Sequence, residues 1–517
     1  MRLETIVAAH AQRHPQRVAV VCGERRVTYA ELDAAGERFA RALAARGVGI
    51  GDRVVLLLPN RAELVEALLG VLKAGALAVP VSTRLAAAEV RVILEDCASK
   101  AVVLAPDSRA VLEAAAAGLP GAPLRIVLEE AQEGELDFRA LCAAVAGGRL
   151  PPAPVKPPVE PDDCMICYTS GTTGRPKGVI VTHANIVVMH GLINAVGWGL
   201  TEADRFLVTT PLAHRTAMGR LGNALCLGAT LVVMPAFDAA ATVATIGREG
   251  VTVMGLVPTV ARLLMPEIAR DPARCATLRV ILATGEAFPV ELKRRLGDLL
   301  PHVSLYSFFA MTEAGGVTSL GPGEQISHAA SVGRPTPGVE VRLVDADGAD
   351  VPAGEVGEIL VRAGAPGRYG TMRGYFNRPE ETAATIVDGF IRTGDLGRFD
   401  ADGYLYVVDR KKDMIVSGGL NIYSKEVEQA LAGHPAVQEA AVVGAPDPVY
   451  GESVVAFVEP RPGHPVSEAE LIEHCRSLIA SYKKPRRVVF VEALPRNAVG
   501  KVLKAELRRQ ASPAVAG

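Results

Sequence analysis

Residues 168–179 read Tyr-Thr-Ser-Gly-Thr-Thr-Gly-Arg-Pro-Lys-Gly-Val and follow an apolar run, 164–167, that has the composition of a buried strand. The glycines let backbone N–H groups turn inward and the hydroxyl groups add donors, which suits a cluster of phosphate oxygens near Lys177. No Gly-Lys-Ser/Thr follows a four-residue gap, so this is not a Walker A loop. An ordinary flexible turn is the alternative, but an ordered run of this length is far more specific than a generic glycine loop.

Outward from this loop, strands and helices alternate along the chain. Arg17–Val21 and Asp52–Leu58 have the composition of strands, whereas Tyr29–Ala45 and Arg61–Ala74 carry apolar residues at helical spacing. This alternation predicts an α/β fold with parallel sheets covered by helices. The proline-rich stretch Pro151–Pro161 is typical of a surface linker between subdomains.

The pattern changes after residue 338, and a charge cluster at Asp409–Asp413 marks the domain boundary that we predict between residues 1–410 and 411–517. Short strands separated by turns predict a small β-rich unit before the cluster, at Val339–Val344, Gly357–Val361 and Tyr404–Val408. After the cluster we expect a compact α+β domain. Its predicted elements are a helix from Ser424, strands at Ala440–Val443, Ser453–Val458 and Arg487–Val491, a helix that begins at Ser467 with Glu470 in a capping box, and a final short helix.

The composition limits the classes of partner. The chain has 517 residues, 49% of them hydrophobic, and 55 basic against 57 acidic residues leave a net charge of −2. This balance gives no electrostatic case for nucleic acid or for an anionic membrane as the main partner. The apolar runs are too short for a membrane span, and the N-terminus lacks a signal-peptide pattern. Eight cysteines, with Cys164 and Cys167 in the predicted buried strand, fit a reduced setting. We expect a soluble cytoplasmic protein and leave a homodimer open.

Further segments along the chain form an ordered set of motifs with the loop at 168–179. They are Pro211-Leu-Ala-His214, Thr284-Gly-Glu-Ala287, Met311-Thr-Glu313, Arg392-Thr-Gly-Asp395, Asp409-Arg-Lys-Lys-Asp413, Gly418-Gly-Leu-Asn-Ile422 and Pro495-Arg-Asn-Ala-Val-Gly-Lys501. In order and in content they resemble the motifs of the adenylate-forming (AMP-binding) superfamily: acyl-CoA synthetases, peptide-synthetase adenylation domains and beetle luciferases. The resemblance spans nearly the whole chain and implies an ATP-dependent acid–CoA ligase, with ATP, Mg²⁺ and CoA as its cofactor and co-substrates.

The resemblance implies a role for each matched residue in acid activation. A carboxylate attacks the α-phosphate of ATP without a general base, so cations must offset the charge that develops. Lys501 would bridge the substrate carboxylate and the α-phosphate, Thr312 would donate to the α-phosphate, and Glu313 would hold Mg²⁺. The predicted ATP contacts are Thr169, Ser170, Gly171, Thr172, Thr173, Gly174 and Lys177 for the phosphates, Gly285, Glu286, Ala287 and Phe309 for the adenine, Asp395 for the ribose, and Arg410 for the ribose or a phosphate.

The resemblance also implies a hinge and a CoA site. Lys412 would be the hinge about which the C-terminal domain rotates after adenylation, so that one site serves two steps. The residues expected to contact CoA are Gly418, Gly419, Tyr450, Lys484 and Arg486, with Arg84 from the N-terminal domain. A solvated charge run is the alternative for Lys412, and a basic surface loop is the alternative for the cations of the CoA site.

The acid is not named by the motifs. Phe309-Ala310 stands where the superfamily usually has Tyr-Gly, and the methyl group of Ala310 favours a small, branched, aromatic or medium-chain acid. His214 would lie near the substrate carboxylate. Arg215 and Arg220 are expected to face solvent or to pair with acidic groups, although a pocket-facing arginine would favour a dicarboxylate.

Other functions remain open at this level. A stand-alone adenylation enzyme that loads a carrier protein would use the same motifs, and a luciferase-like oxidase is not excluded by them. A catalytically silent nucleotide-binding regulator is encouraged by the altered Phe309-Ala310 pair, but the presence of Lys501, Glu313 and Asp395 argues against it.

Overall fold

The computed structural model describes residues 1–146, 163–169, 176–285, 288–496 and 502–511. The predicted linker Pro151–Pro161 lies outside these ranges. The strands are β1 (Val18–Cys22), β2 (Arg25–Thr28), β3 (Arg53–Leu57), β4 (Leu77–Val81), β5 (Ala101–Leu104), β6 (Leu124–Val127), β7 (Leu136–Asp137), β8 (Asp163–Thr169), β9 (Lys177–Thr182), β10 (Arg205–Val208), β11 (Thr230–Val233), β12 (Val253–Leu256), β13 (Val280–Ala283), β14 (Ser304–Met311), β15 (Gly315–Leu320), β16 (Arg334–Pro335), β17 (Glu340–Val344), β18 (Gly357–Arg362), β19 (Gly374–Tyr375), β20 (Ile386–Val387), β21 (Phe390–Phe399), β22 (Leu405–Arg410), β23 (Ile415–Ser417), β24 (Leu420–Ile422), β25 (Val437–Asp447), β26 (Gly451–Pro460) and β27 (Arg487–Phe490).

The helices cover the sheets and connect their strands. They are α1 (Leu3–Arg13), α2 (Tyr29–Ala44), α3 (Ala62–Lys73), α4 (Ala87–Cys97), α5 (Arg109–Ala116), α6 (Phe138–Ala146), α7 (His183–Ile186), α8 (Asn194–Gly197), α9 (Arg215–Leu227), α10 (Ala239–Glu249), α11 (Pro258–Arg270), α12 (Val290–Leu299), α13 (Pro379–Thr385), α14 (Ser424–Ala432), α15 (Glu468–Leu478) and α16 (Lys504–Ala511). A π-helical segment, Val187–Ile193, joins α7 to α8.

The chain divides into two compact units. The first consists of Met1–Val341 and Val361–Arg392, and the second consists of Arg342–Leu360 and Thr393–Gly517. The boundaries between the units fall inside three strands: after Val341 in β17, after Leu360 in β18 and after Arg392 in β21. The predicted boundary at residue 410 lies inside the second unit and stays a prediction.

Two sheets form the first unit, in the strand orders β16-β15-β14-β13-β12-β10-β11-β1-β2 and β19-β9-β8-β4-β3-β5-β6-β7. The neighbours from β14 to β1 are parallel, as the predicted alternation of strands and helices requires. Helices α10, α11 and α12 bury apolar side chains against one face of the first sheet, and α4 and α5 do so on the second. Thr28 begins α2 with a capping box to Glu31. These findings confirm the predicted α/β class.

The C-terminal part of the second unit is a sheet of order β24-β23-β26-β25, with β27 paired to β26. Helices α14 and α15 cover one face of it and α16 covers the other. Ser467 caps α15, where its hydroxyl accepts the N–H of Glu470 at 3.2 Å. The predicted α+β tail is confirmed in these elements.

The cysteine pair of the strand before the glycine loop lies in β8. Cys164 and Cys167 are buried there as free thiols, and burial raises the pKa of Cys167 to about 11. Both therefore serve as small core residues, as expected. Among the described residues, none of the helices combines the length and the apolar character that a membrane crossing needs.

Candidate active site

The carboxyl ends of the parallel strands of the first sheet lie side by side. Leu256 of β12 pairs with Ala283 of β13, and Ala283 pairs with Ser307 of β14. The residues that follow these ends therefore meet at one edge of the sheet, which is where parallel α/β sheets hold their ligands.

The predicted adenine-site residues Gly285 and Phe309 lie at this edge: Gly285 follows β13, and Phe309 lies in the part of β14 beyond its pairing with β13, where it pairs with Thr318 of β15. The Thr284 hydroxyl donates to the Phe308 carbonyl at 3.0 Å and so ties the two segments together. Gly285 has φ +94°, a conformation that a side chain disfavours. The other two predicted members, Glu286 and Ala287, lie outside the described residues.

Thr312 and Glu313 lie in the tight turn of the β14–β15 hairpin. Met311 pairs with Gly315 across the hairpin, which leaves a three-residue loop. Gly315 closes this loop at φ +70°, and a Cβ there would lie 2.7 Å from the Gly370 carbonyl oxygen. The Glu313 carbonyl accepts the N–H of Met372 at 2.7 Å, so the turn is held in place from a second segment.

Lys177 and Glu313 are brought together by Tyr375, a residue that the motifs did not indicate. The Tyr375 hydroxyl donates to the Glu313 carboxylate at 3.1 Å, and the Lys177 ammonium lies 5.2 Å from the centre of the Tyr375 ring. Lys177 also forms an ion pair with Glu381. Burial, followed by the negative charge of Glu313, raises the pKa of Tyr375, so this phenol remains a hydrogen-bond donor.

The ends of the glycine loop are fixed although its centre is not described. Thr169 ends β8 and pairs with Lys177, the first residue of β9. The loop between them therefore begins and ends at one edge of a hairpin, beside Tyr375 and Glu313. The predicted contacts Ser170, Gly171, Thr172, Thr173 and Gly174 lie outside the described residues.

The residues of this cluster fit a magnesium ion held jointly with phosphates. Glu313 supplies one hard carboxylate donor, and groups of three or more His, Cys, Asp or Glu side chains suited to a metal do not occur in the described part of the chain. Mg²⁺ typically keeps several waters and uses one or two carboxylates together with substrate phosphates. The donor set therefore suits an ion that arrives with a nucleotide.

His214 occupies the N-cap position of α9, where its carbonyl accepts the N–H of Met218. Burial, and then the nearby positive charge of Arg84, lower the pKa of His214. A neutral imidazole at neutral pH can donate or accept one hydrogen bond, as the predicted role near a carboxylate requires. Arg84, predicted as a CoA contact, is exposed and acts on His214 in the first unit.

The expectation that Arg215 and Arg220 face solvent or pair with acids is wrong. Arg220 is only 4% exposed, and its guanidinium lies 5.0 Å from the ring centre of Trp198 and 5.9 Å from that of Phe308. Arg215 donates to Nε2 of the buried His190 at 3.0 Å. Helix α9 is buried on all sides from Ala217 to Leu225, so that it has no solvent face for Arg220.

The second unit contains the predicted ribose contacts on adjacent strands. Asp395 of β21 pairs in register with Arg410 of β22, and their side chains form an ion pair with 3.2 Å between Oδ1 and Nε. Asp395 is 5% exposed, whereas the Arg410 side chain is 38% exposed. The ion pair therefore holds the Asp395 carboxylate in one orientation. Its partner Arg410 is the last residue of β22, and an exposed turn follows it.

The predicted hinge Lys412 lies in that turn. Its side chain is exposed, and its carbonyl accepts a hydrogen bond from Arg508 of α16 at 3.0 Å. Arg508 also pairs with Asp413 at 2.5 Å, so α16 is attached directly to the turn. The predicted catalytic residue Lys501 lies outside the described residues.

Four of the predicted CoA contacts form one cluster in the second unit. Gly418 and Gly419 have φ +58° and +78° and form the two-residue turn of the β23–β24 hairpin. The Gly418 N–H donates to the Tyr450 carbonyl at 2.8 Å, and the Arg486 guanidinium stacks 4.0 Å from the centre of the Tyr450 ring. The Asp447 carboxylate accepts the N–H groups of Val449 and Tyr450, each at 2.9 Å, and so fixes the conformation of this loop.

The fifth predicted contact from this unit, Lys484, has a different environment. Its ammonium donates to the carbonyl and the hydroxyl of Ser481, at 2.9 and 3.2 Å. The adjacent Lys483 pairs with Glu426 at 2.7 Å. Of the basic residues in this loop, Arg486 is therefore the one that contacts the Gly418–Gly419 turn, through the ring of Tyr450.

Comparison with protein families covers both units of the chain. A family described as AMP-binding enzyme matches residues 7–376, and one described as AMP-binding enzyme C-terminal domain matches residues 426–501. The first match contains His214, Glu313 and Tyr375, and the second ends at Lys501.

Curated relatives match over nearly their whole length. The chain is 37% identical over 504 residues to a feruloyl-CoA synthase of Amycolatopsis sp, covering 97% of each chain. It is 38% identical over 502 residues to the long-chain-fatty-acid–CoA ligase FadD13 of Mycobacterium tuberculosis, covering 95% of this chain and 94% of that one. It is 34% identical over 520 residues to the fatty acid–[acyl-carrier-protein] ligase ScoC of Streptomyces coeruleorubidus, covering 98% and 96%.

Solved structures are also similar to this chain over nearly its whole length. The o-succinylbenzoate CoA synthetase MenE of Bacillus subtilis, in complex with the acyl-adenylate intermediate OSB-AMP, superposes with a TM-score of 0.84 at 31% identity and covers 97% of each chain. The same enzyme in complex with ATP and a magnesium ion superposes with a TM-score of 0.82 at 32% identity, covering 98% of each chain.

Proposed function

The chain belongs to the AMP-binding enzyme family, and we propose that it is an AMP-forming acid–CoA ligase that acts through an acyl-adenylate. The predicted superfamily and the predicted class of enzyme are confirmed by these matches. In the proposed reaction a carboxylate oxygen attacks the α-phosphate of ATP, the bond to diphosphate breaks, and the thiol of CoA then displaces AMP from the acyl carbon.

The cluster of Lys177, Tyr375 and Glu313 supports the first half-reaction. The ion pair with Glu381 would give way to the β- and γ-phosphates, which carry more negative charge and would then occupy Lys177. Tyr375 holds the Glu313 carboxylate through a neutral hydrogen-bond donor, which adds no positive charge of its own. Magnesium, when bound by Glu313 and the phosphates, would neutralise charge on the leaving diphosphate.

The ion pair of Asp395 with Arg410 supports binding of the ribose. A carboxylate held in one orientation can accept from two neighbouring hydroxyl groups, and hydrogen bonds to charged groups are stronger than neutral ones. Lys501 is proposed to bridge the carboxylate and the α-phosphate, and Thr312 to donate to that phosphate. The acid is proposed to be small, branched, aromatic or medium-chain, because the Ala310 methyl group takes the place of a hydrogen atom.

The exposed stack of Arg486 on Tyr450, next to the Gly418–Gly419 turn, is the observation that carries CoA as the acceptor. An aromatic ring and a guanidinium at the surface suit the adenine ring and the 3′-phosphate of CoA. The glycine turn leaves room for a narrow chain such as pantetheine to pass close to the backbone. We also propose a cytoplasmic enzyme, and a homodimer stays a prediction.

The acid activation is tested by exchange of labelled diphosphate into ATP, with a panel of acids, followed by mass spectrometry of the thioester after addition of CoA. We expect exchange with at least one acid, and a loss of roughly 1000-fold in Lys501→Ala. Thioester formation from a supplied acyl-adenylate should fall much less in this variant. Absence of exchange with every acid in a folded protein would support the regulator instead, and equal loss of both half-reactions in Lys501→Ala would contradict the two-step account of Lys501.

A second candidate is an adenylation enzyme that loads an acyl-carrier protein, since ScoC, one of the relatives, carries that name. The two acceptors differ in the nucleotide part of CoA, which a carrier protein lacks. We expect Arg486→Ala to raise the KM for CoA roughly tenfold and to leave the KM for pantetheine unchanged, because pantetheine has no 3′-phosphate. An equal effect on both thiols would contradict the assignment of Arg486, and transfer to a carrier protein but not to CoA would favour the second candidate.

A further inference from the structure

Helix α9 contains a buried positive charge to which the described part of the chain supplies no counter-charge. Arg220 is 4% exposed, and its Nε and Nη1 atoms are buried without a hydrogen-bond partner. Ion pairs to Arg220 do not occur among the described residues. Burial lowers the pKa of Arg220 to about 9, which leaves it positively charged at neutral pH. An isolated buried charge is costly, and proteins normally pair such charges.

The aromatic neighbours of Arg220 compensate for only part of this burial. The guanidinium lies over the rings of Trp198 and Phe308, 5.0 and 5.9 Å from their centres, and such cation–π contacts are favourable. They do not replace hydrogen bonds, because Nε and Nη1 lack a hydrogen-bond partner among the described residues.

Arg220 lies at the ligand-binding edge of the parallel sheet. A Cβ at Gly255, next to the carboxyl end of β12, would lie 3.4 Å from Cδ of Arg220. Phe308 follows the carboxyl end of the parallel part of β14 and precedes the predicted adenine contact Phe309. Arg220 is thus placed at the edge where substrates of parallel α/β enzymes bind.

The described groups around Arg220 do not supply a negative charge. His190 lies close to Arg220, and burial, followed by the charges of Arg215 and Arg220, keeps the pKa of His190 well below its usual range. Because an arginine only donates, Nε2 of His190 must accept from Arg215. Nδ1 of the neutral ring then carries the proton. The side-chain amide nitrogen of Asn194 lies 3.0 Å from Nδ1 and only donates, so the amide must turn its oxygen towards the ring to accept this proton. His190 lies in the π-helical segment, a conformation that is frequent at functional sites.

We propose that the acid substrate has a second carboxylate, remote from the one that is adenylated, and that Arg220 binds it. This inference rests on the proposed acid–CoA ligase function. The second carboxylate supplies the counter-charge that the described residues lack, and it accepts the free N–H groups of Arg220. Arg215 adds positive potential from its place beside His190. The enzyme would then distinguish dicarboxylic from monocarboxylic acids by an ion pair in addition to the shape of the pocket.

The experiment compares dicarboxylic acids of graded length with their monomethyl esters, which have nearly the same shape but a single charge. Diphosphate exchange is measured with wild-type protein, Arg220→Met and Arg220→Lys. For the best dicarboxylate we expect wild type to favour the diacid over its monoester by roughly 100-fold in kcat/KM. Arg220→Met should lose this preference through a rise in KM, and Arg220→Lys should recover part of it.

The control variant is Arg262→Met, which removes an exposed arginine from α11 and should keep the preference. Binding is also measured without turnover, as the shift in the unfolding midpoint on addition of the diacid or the monoester. The diacid should stabilise wild type and not Arg220→Met. A wild-type preference for monoesters, or an unchanged diacid preference in Arg220→Met, would overturn the proposal. Exchange with monocarboxylic acids alone would leave the ligase function intact while refuting the role of Arg220, and a diacid-specific shift without exchange would refute the ligase function alone.

Discussion

The two edges of the parallel sheet in the first unit hold buried charges in opposite ways. At the amino edge, Asp204 is 2% exposed and precedes β10. It accepts from the Arg279 guanidinium, from the Thr252 hydroxyl at 2.7 Å and from the N–H of Thr201 at 2.7 Å. At the carboxyl edge, Arg220 is almost as deeply buried, but the described residues supply it with no carboxylate.

On our proposal, this difference separates a charge that stabilises the fold from a charge that binds a ligand. Burial alone would raise the pKa of Asp204, but the hydrogen bonds from Arg279 and Thr252 more than offset it, and the pKa is lowered. Thr252 and Arg279 directly precede β12 and β13, so this network fastens three strand starts together. Asp204 is fully paired within the described residues, whereas the proposal assigns the partner of Arg220 to an anionic substrate.

The largest effect that we expect comes from replacing one arginine at each edge of the sheet by methionine. Arg279→Met leaves Asp204 buried without its main partner and should lower the free energy of unfolding by about 2 kcal/mol, since half-broken buried pairs are strongly destabilising. Arg220→Met replaces an unpaired charge by an apolar chain of similar length. It should leave the free energy of unfolding unchanged or raise it by about 1 kcal/mol.

Both variants are measured by urea unfolding, without substrates, under identical conditions. Arg262→Met serves again as the exposed control, with an expected change within about 0.5 kcal/mol. A large destabilisation in Arg220→Met would show that Arg220 is a structural residue with sufficient partners in the free protein. That result would remove the contrast between the two edges.

A second, smaller effect concerns the protonation of His190 at the carboxyl edge. In the folded protein the pKa of His190 is lowered by burial and by the two arginines, whereas in the unfolded chain it is about 6.5. Below pH 6.5 the unfolded chain therefore binds a proton that the folded protein does not. Stability should fall with decreasing pH in this window, by about 1.4 kcal/mol per pH unit for this one residue.

His190→Gln tests this dependence, because its side-chain carbonyl can still accept from Arg215. The free energy of unfolding of both proteins is measured between pH 7.5 and 5.5. Other buried histidines also contribute, such as His183 with a pKa lowered to about 3 by its burial, so the informative quantity is the difference between the two slopes. Parallel curves would mean that His190 takes up its proton in the folded protein.

The elements of the fold were predictable because each follows from local spacing. The predicted helix Tyr29–Ala45 and strand Asp52–Leu58 appear as Tyr29–Ala44 and Arg53–Leu57, with differences only at their ends. The β23–β24 hairpin at Gly418–Gly419 was not among the predicted elements, although two adjacent glycines suit such a turn. Elements of this kind depend only on residues that are close together in the sequence, so the sequence alone is enough to predict them.

Contacts between distant segments were not predictable by the same reasoning. Tyr375 reaches Glu313 and Lys177 because β19 pairs with β9, which are almost 200 residues apart in the sequence. The expectation of solvent for Arg220 rests on the rarity of buried arginine. The one available signal was the composition of α9, in which Gly219 and Gly222 leave room for the His190 ring, since a Cβ at these glycines would lie 2.9 and 3.2 Å from it. A helix with small residues on one side and apolar residues on the others indicates burial all round.

The smallest effect that we expect concerns the second unit. There the comparison is between two adjacent glycines of one turn, and the property that is changed is backbone conformation. Gly418→Ala would strain a residue at φ +58° by about 1 kcal/mol and would place a methyl group 3.2 Å from Cδ1 of Tyr450. Gly419→Ala is the matched control, since it strains a residue at φ +78° while its Cβ meets nothing within 4 Å. Both variants should lose similar stability in urea unfolding.

Only Gly418→Ala should also displace the Tyr450 ring on which Arg486 stacks. If this stack binds CoA, the KM for CoA should rise severalfold in Gly418→Ala and clearly less in Gly419→Ala, while diphosphate exchange stays the same in both. Equal KM values in the two variants would show that the turn acts on CoA through its backbone alone. The Tyr450 ring would then be a neighbour of the turn, and Arg486 would have to be assigned to CoA on its charge rather than on its stack.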